Sequence, residues 1–564
     1  VIREALKEQT MARAKQSRPD WWRGAVIYQI YPRSWQDSNG DGVGDLKGIE
    51  SRLEHVADLG VDAIWLSPFF KSPMKDMGYD VSDYCDVDPV FGTLADFDAL
   101  MAKAKKLGLK VMIDQVLSHT SDQHPWFIES KASRTGKKAD WYVWADAKPA
   151  GDPPTNWQSV FGGSAWTWHS GRRQYYLHNF LASQPDLNFH NPAVQDALLK
   201  SVEFWLKRGV DGFRLDTVNF YVHDQRLRDN PGVDLAPGQL PAVNPYGHQT
   251  HLFDKTRPEN VAFLKRFRAL LDKYDARAAV GEVGDEDRSL KTMAEYTSGG
   301  DRLHMCYSFD MLGPDFSPAH YHRCVTAFDK AARMFGDEHA WPCWAFSNHD
   351  VIRHMTRFAP KAENRAALAK LAASLLLSLR GSVCLYQGEE LGLTEADIAY
   401  EDLTDPAAIA FWPDYKGRDG CRTPFPWEAN KPNAGFSKAN RTWLPIPAEH
   451  SAKAVSAQKG DTTSVLEHYR AFLRWRKEQP ELIGGGLTFH EAGKQILVFE
   501  REMDGRRMLC AFNLSDKPAK WTLPAKMAVS TLDGPGFAGE LAATALRLGA
   551  FEAWFGRIGS VKTL

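Results

Sequence analysis

The chain has 564 residues, 43% of them hydrophobic and 25% charged, with a formal net charge of −2. That is the composition of a soluble globular protein, and the near-zero charge leaves no electrostatic case for nucleic acid or an anionic membrane. The length exceeds one small core and suffices for a large barrel with satellites.

Residues 1–20 are charged and lack an apolar centre, so no signal peptide is expected there. The first short apolar run is 25–31. It is followed by Asp37-Ser-Asn39-Gly-Asp41-Gly-Val43-Gly-Asp45, which sets oxygen ligands at alternate positions around a tight glycine loop. Such spacing suits a hard cation, Ca²⁺ or Mg²⁺. The loop begins like an EF-hand, but Gly48 stands where the bidentate Glu belongs, so that motif fails. Further runs follow at 63–67, 110–116, 212–216, 278–283, 303–309, 342–348 and 382–386, with helical stretches such as 93–107 and 191–208 between them. Eight strands alternating with helices predict an α/β protein, a (β/α)8 barrel with a parallel inner sheet.

Two segments break the rhythm. Residues 119–190 are rich in Trp, Gly, Pro and Ser and read as a small domain inserted after the third strand, and 219–258 reads as a long loop after the fourth. From about residue 481 to 564 the pattern becomes short alternating runs after Gly484-Gly485-Gly486, which predicts a C-terminal antiparallel β domain. The barrel then takes 1–118 and 191–480. The apolar run 371–379 is too short to span a bilayer. The seven cysteines are scattered singly, which argues against a disulfide framework or a zinc site and points to a reducing, cytoplasmic compartment. A periplasmic home stays open if a leader has been removed.

In such a barrel the active site lies at the C-terminal ends of the strands. Strand three runs into Asp114-Gln-Val-Leu-Ser-His119, strand four ends with Arg214 and Asp216, strand five with Glu282, and strand seven with His349 and Asp350. Side chains at i and i+2 share a strand face. Arg214 therefore sits beside Asp216 and keeps it ionised, as a covalent nucleophile requires. Glu282, flanked by Gly281 and Val283 with no adjacent cation, is the expected proton carrier. A nucleophile and an acid together are the equipment for cleaving a glycosidic bond. Aromatics at 12%, with 19 Trp, suit stacking against sugar rings.

The motifs Gly212-Phe-Arg-Leu-Asp216, Gly281-Glu-Val-Gly284, Asn348-His-Asp350, Gln184-Pro-Asp-Leu-Asn188, Gly388-Glu-Glu390 and Arg422-Thr-Pro424 occur in order. By them the chain resembles the α-amylase family of glycoside hydrolases (family 13), in its α-glucosidase and oligo-1,6-glucosidase branch, from Trp22 to the C-terminal domain. The resemblance implies that Asp216 is the nucleophile, Glu282 the general acid and then base, and Asp350 the binder of the sugar's 2- and 3-hydroxyls. It implies that Arg214 orients Asp216, that His119 and His349 bond sugar hydroxyls, and that Tyr79 stacks under the ring. Asp80 and Arg422 would pair and close the pocket, giving exo action on terminal glucose. The metal ligands would be Asp37, Asn39, Asp41, Asp45 and the Val43 carbonyl. Ser118 stands where amylases carry a calcium-binding Asn, so that second metal site is not expected.

The residue after the nucleophile is Thr217. In this branch valine there goes with α-1,6 cleavage, so threonine leans towards α-1,4-linked or small disaccharide substrates such as maltose. The expectation is a retaining exo-α-glucosidase with transglucosylation capacity, acting as monomer or homodimer on small α-glucosides with sugar or alcohol acceptors and needing no organic cofactor. A sucrose-specific hydrolase or glucosyl isomerase is the alternative, although 318–326 lacks an isomerase-like arginine-rich loop. A non-catalytic binding barrel fits poorly with three retained carboxylates.

Overall fold

The computed structural model describes residues 20–559 apart from 236–239, 338–339, 360, 526 and 535. The reading of residues 1–20 as leaderless lies almost wholly outside the described residues.

The eight expected strands are present as β1 (Val26–Ile30), β2 (Ala63–Leu66), β3 (Lys110–Gln115), β4 (Gly212–Leu215), β5 (Ala278–Val283), β6 (Met305–Ser308), β7 (Cys343–Trp344) and β8 (Ser382–Tyr386). They form one parallel sheet in the order β6-β5-β4-β3-β2-β1-β8-β7. A parallel bridge between Cys306 and Pro342 joins its two edges, so the sheet closes on itself. β7 is shorter than the sequence pattern suggests. It starts after Pro342, which has no N–H to give the ladder, and its continuation is the polar stretch Ser347 to Asp350 at the mouth.

Both faces of the strands are buried, which is why they read as unbroken apolar runs. Alternate residues divide between two cores. Ala63, Trp65, Met112, Val280, Met305 and Cys343 fill the barrel interior, whereas Ile64, Leu66, Val111, Ile113 and Phe213 pack outward against the helices. Gly212 opens β4 because the interior has no room for more. A Cβ there would lie 2.7 Å from the Ala278 carbonyl oxygen and 3.2 Å from Met112.

The inward parity carries on to the polar strand ends. Asp114 follows Met112, Glu282 follows Val280 and Tyr307 follows Met305 on the same face. Register then sets Asp114 beside Arg214 and Glu282 beside Tyr307. Local signals hold the helices that feed these strands. Leu94–Lys106 starts at a Thr93–Asp96 capping box, and Pro192–Lys207 starts with Pro at its first position behind an Asn191 cap.

Between β3 and the latter helix the chain builds its own three-stranded antiparallel sheet from Trp144–Ala145, Trp166–His169 and Gln174–Leu177. A bridge between His119 and Asp186 ties this insertion back to the mouth. Beyond Gly485 lie a five-stranded and a three-stranded antiparallel sheet. The buried Arg501 guanidinium fastens them to the barrel by donating to the carbonyls of Ser378, Leu482, Gly485 and Gly486. Among the described residues no helix is long and apolar enough to cross a membrane.

Candidate active site

Arg214 is fully buried in the barrel mouth. Its Nη1 donates to Asp114 at 2.8 Å and to Asp216 Oδ1 at 2.7 Å. Its Nη2 lies 2.6 Å from Glu282 Oε1. Nε and Nη2 also donate to the Tyr307 hydroxyl, which in turn donates to Glu282 Oε1 at 2.9 Å. The expectation that Glu282 has no adjacent cation is therefore corrected. The neighbours of Glu282 in sequence carry no charge, but the barrel brings Arg214 to it from the next strand.

One cation thus faces three carboxylates in a buried site, too few to support all of them ionised. Burial pushes Asp114 up to about 6, and Asp216 and Glu282 up to about 7 each, with Arg214 working against burial in every case. Repulsion from Asp216 and Asp350 further favours a proton on Glu282. Asp216, like Glu282, is held on both oxygens. It takes a direct hydrogen bond from Arg214 on Oδ1 and one from the Thr217 hydroxyl on Oδ2 at 3.2 Å.

Thr217 also reaches the other carboxylate, since its backbone N–H donates to Glu282 Oε2 at 3.2 Å. It does so from a left-handed conformation with φ of 39°. That is an outlier for a β-branched residue and a mark of strain held by the surrounding structure.

Asp350 lies among two arginines and a histidine. Arg422 Nη2 and Arg418 Nη1 donate to its Oδ1 at 2.9 and 3.1 Å, and His349 Nε2 is 3.2 Å from Oδ2. Burial opposes its charge, and His349, Arg418 and Arg422 together hold the carboxyl well below the usual carboxylate range. His349 is itself kept neutral by burial, so its contribution is a hydrogen bond. Gln29 Nε2 donates to its Nδ1 at 2.7 Å, which leaves the ring hydrogen on Nε2, facing Asp350 and the Tyr79 hydroxyl.

Tyr79 stacks on His349 with centroids 5.3 Å apart. It lines a cavity of about 840 Å³ together with His119, Asp216, Thr217, Glu282 and Asp350. Arg422 and His349 stand behind this wall, holding Asp350.

Asp80 and Arg422 do not pair. Asp80 accepts from Ser72 Oγ and from the backbone N–H groups of Lys75 and Asp76. The pair in the cavity wall is Asp76 with Arg418, Oδ1 to Nη2 at 3.0 Å. Arg418 is braced by Asp405 at 2.8 Å, and Gln184 Nε2 donates to Asp76 Oδ2 at 3.0 Å. Asp76 and Arg418 lie four positions before the residues the sequence suggested, in the same two loops. Only the fold separates the two candidates. Asp114 and Tyr307 were also missed as site residues, and their inward parity at strand ends was the available signal.

In the acidic loop, Asp37 accepts from the N–H groups of Asn39, Gly40 and Gly42, and Asp45 caps the helix Leu46–Ser51 through Gly48. Asn39 and Asp41 oxygens accept from the N–H groups of Asp41 and Val43. Both Asp37 oxygens already accept two hydrogen bonds each, one from the Ser437 hydroxyl, and Asp45 Oδ1 accepts two, so free lone pairs remain on Asn39 Oδ1, the Asp41 carboxylate and Asp45 Oδ2, and a cation would take Asp37 only by displacing one of its donors. Among the described residues no three acidic, histidine or cysteine side chains are grouped as ligands of an ion. A shell here would need Asn39 and the Val43 carbonyl as well.

Residues 29–485 match the α-amylase catalytic domain. A probable α-glucosidase of Rhizobium meliloti (strain 1021) is 59% identical over 96% of this chain and 97% of its own. Among solved structures, an α-glucosyl transfer enzyme, XgtA, superposes with a TM-score of 0.91 at 55% identity, over 96% of this chain and 99% of that one. The trehalulose synthase MutB of Pseudomonas mesoacidophila MX-45 does so with 0.84 at 32% identity, over 96% and 99%. With these likenesses and this constellation at the mouth of a closed parallel barrel, the chain belongs to the α-amylase family of glycoside hydrolases.

Proposed function

We propose that this protein is a retaining, exo-acting α-glucosidase that releases terminal non-reducing α-glucose and also transfers it to acceptors. The observation that carries the reading is that Asp216 and Glu282 are both held by one guanidinium, on its two terminal nitrogens. Carboxylates so tethered stand close together, in keeping with the ~5–5.5 Å of a nucleophile and acid pair rather than the wider gap that admits a water. Asp216 Oδ2, the oxygen not bound by Arg214, attacks C1 as Glu282 protonates the leaving oxygen, and Glu282 then serves as base for water or an acceptor. Asp350, fixed as an anion, would bind the sugar's 2- and 3-hydroxyls, with His119 at the cavity wall and Tyr79 beneath the ring, while His349, behind the wall, acts by holding Asp350 and Tyr79. The Arg418–Asp76 pair at the cavity wall supports single-glucose, exo action. Likeness to an α-glucosyl transfer enzyme supports the transfer capacity.

NMR of the first-formed sugar tests the reading. α-Glucose is expected, and Asp216→Asn is expected to abolish turnover of an activated α-glucoside while the protein stays folded. β-Glucose first, or near-normal activity of the variant, would sink it.

The Glu282 proton gives a pH signature. With the buried pair titrating near 7, kcat/KM falls on the alkaline side as Glu282 loses its proton and on the acid side as Asp216 gains one. A profile that stays flat to a pH of about 9 removes Glu282 from the acid role.

Thr217 leans the specificity towards maltose-like substrates, and Thr217→Val should shift the maltose-to-isomaltose rate ratio towards isomaltose. An unchanged ratio discards the idea. The likeness to a trehalulose synthase supports a second reading, glucosyl isomerisation of sucrose. Isomeric disaccharides among the wild-type products on sucrose would favour it.

The loop 37–45 would hold Ca²⁺ or Mg²⁺ through Asp37, Asn39, Asp41, Asp45 and the Val43 carbonyl, in a structural role. Its support is the alternate spacing of the oxygens and the lone pairs left on Asn39, Asp41 and Asp45. Chelation should lower the melting temperature by several degrees, and an unchanged value with no metal detected by elemental analysis disposes of the site.

A further inference from the structure

Ser118, which departs from the family pattern, and Thr217, the residue after the nucleophile, meet across the mouth. Thr217 Oγ1 stands 3.2 Å from Asp216 Oδ2 and 3.2 Å from Ser118 Oγ. One hydroxyl therefore faces two acceptors at equal range, and it has a single hydrogen to give.

The state of Ser118 follows from His119. The His119 Nε2 is 3.1 Å from the Tyr79 carbonyl, which can only accept, so Nε2 carries the ring hydrogen. Gln184 Nε2, 3.2 Å away, donates to Asp76. Burial holds the imidazole down to about 4, so the ring is neutral and Nδ1 is a lone pair. Ser118 Oγ, 2.9 Å from Nδ1 and almost fully buried, gives its own hydrogen there. Its remaining lone pairs are open to Thr217.

While Asp216 is a free carboxylate, its charge takes the Thr217 hydrogen. On glucosylation the Oδ2–C1 bond forms, the glycosidic C1–O bond breaks, and the Glu282 proton passes to the departing oxygen. Oδ2 is then an uncharged ester oxygen with delocalised lone pairs and accepts poorly. Thr217 lines the cavity, and once the glucosyl group occupies that space its hydroxyl must find an acceptor among its neighbours. We propose that Ser118 is a positioning residue for the covalent intermediate, accepting the Thr217 hydroxyl when Asp216 is glucosylated and releasing it when the carboxylate is freed. The proposal rests on the retaining reading and adds a device that stabilises the intermediate relative to the free enzyme.

The test is a double-mutant cycle on the full chain, with 5-fluoro-α-D-glucosyl fluoride as trapping reagent and intact-protein mass spectrometry as readout. In the Thr217 enzyme, Ser118→Ala should cut the steady-state trapped fraction and raise KM for an aryl α-glucoside, each by about three- to tenfold, the change one lost hydrogen bond makes. In the Thr217→Val background the same substitution should move both by less than about twofold. Equal falls in the two backgrounds, or no fall in the first, overturn the proposal. If Ser118→Ala does not fold, Ser118→Cys, a weak acceptor of similar size, takes its place. A wild-type enzyme that traps no ester on Asp216 overturns the retaining reading itself, which separates the two failures.

Discussion

Arg214 is the charge on which the site depends. It is fully buried and reaches Asp114, Asp216, Glu282 and the Tyr307 hydroxyl from one planar group. The desolvation of such a guanidinium is tolerable only with anions around it. Asp114 alone would neutralise it. The two further carboxylates are an excess of negative charge, and that excess is the chemistry. The site cannot ionise all three, so it keeps a proton available for the departing oxygen. A lysine could not substitute, since a point charge does not offer separate nitrogens aimed at separate carboxylates.

The second organising device is the turn after β4. Thr217 adopts a backbone conformation that costs free energy for a β-branched residue. In return its N–H meets Glu282 and its hydroxyl meets Asp216 and Ser118. Arg214 and Thr217 thus clasp the same carboxylate pair from two sides. Elsewhere in the cavity wall two arginines, Arg418 and Arg422, are both directed at Asp350. One carboxylate is thereby made permanently anionic, while the pair around Arg214 is left to exchange a proton.

Much of this was legible in the chain because buried parallel strands leave an unambiguous trace. Runs such as 63–67 and 278–283 are apolar on both faces, and the polar residues that end them fall where a barrel opens. The helical stretches 93–107 and 191–208 were legible for equally local reasons, and the structure caps them at Thr93 and Asn191. The errors were of another kind. Glu282 was read as lacking a cation because its sequence neighbours are uncharged, whereas Arg214 approaches from β4 across the ladder between Val280 and Arg214. Asp80 and Arg422 were paired in place of Asp76 and Arg418 because two loops hundreds of residues apart each hold two candidates of the right charge.

What the sequence determined by itself was therefore periodic or local: the eight strands, the shared face of Arg214 and Asp216, the helical stretches between strands and the motif order that identifies the family. What only the tertiary structure decided was which charges meet. Electrostatic partnership depends on a few ångströms between elements distant in sequence, and in a buried site that spacing sets how tightly each carboxylate holds its proton and which arginine lines the cavity wall.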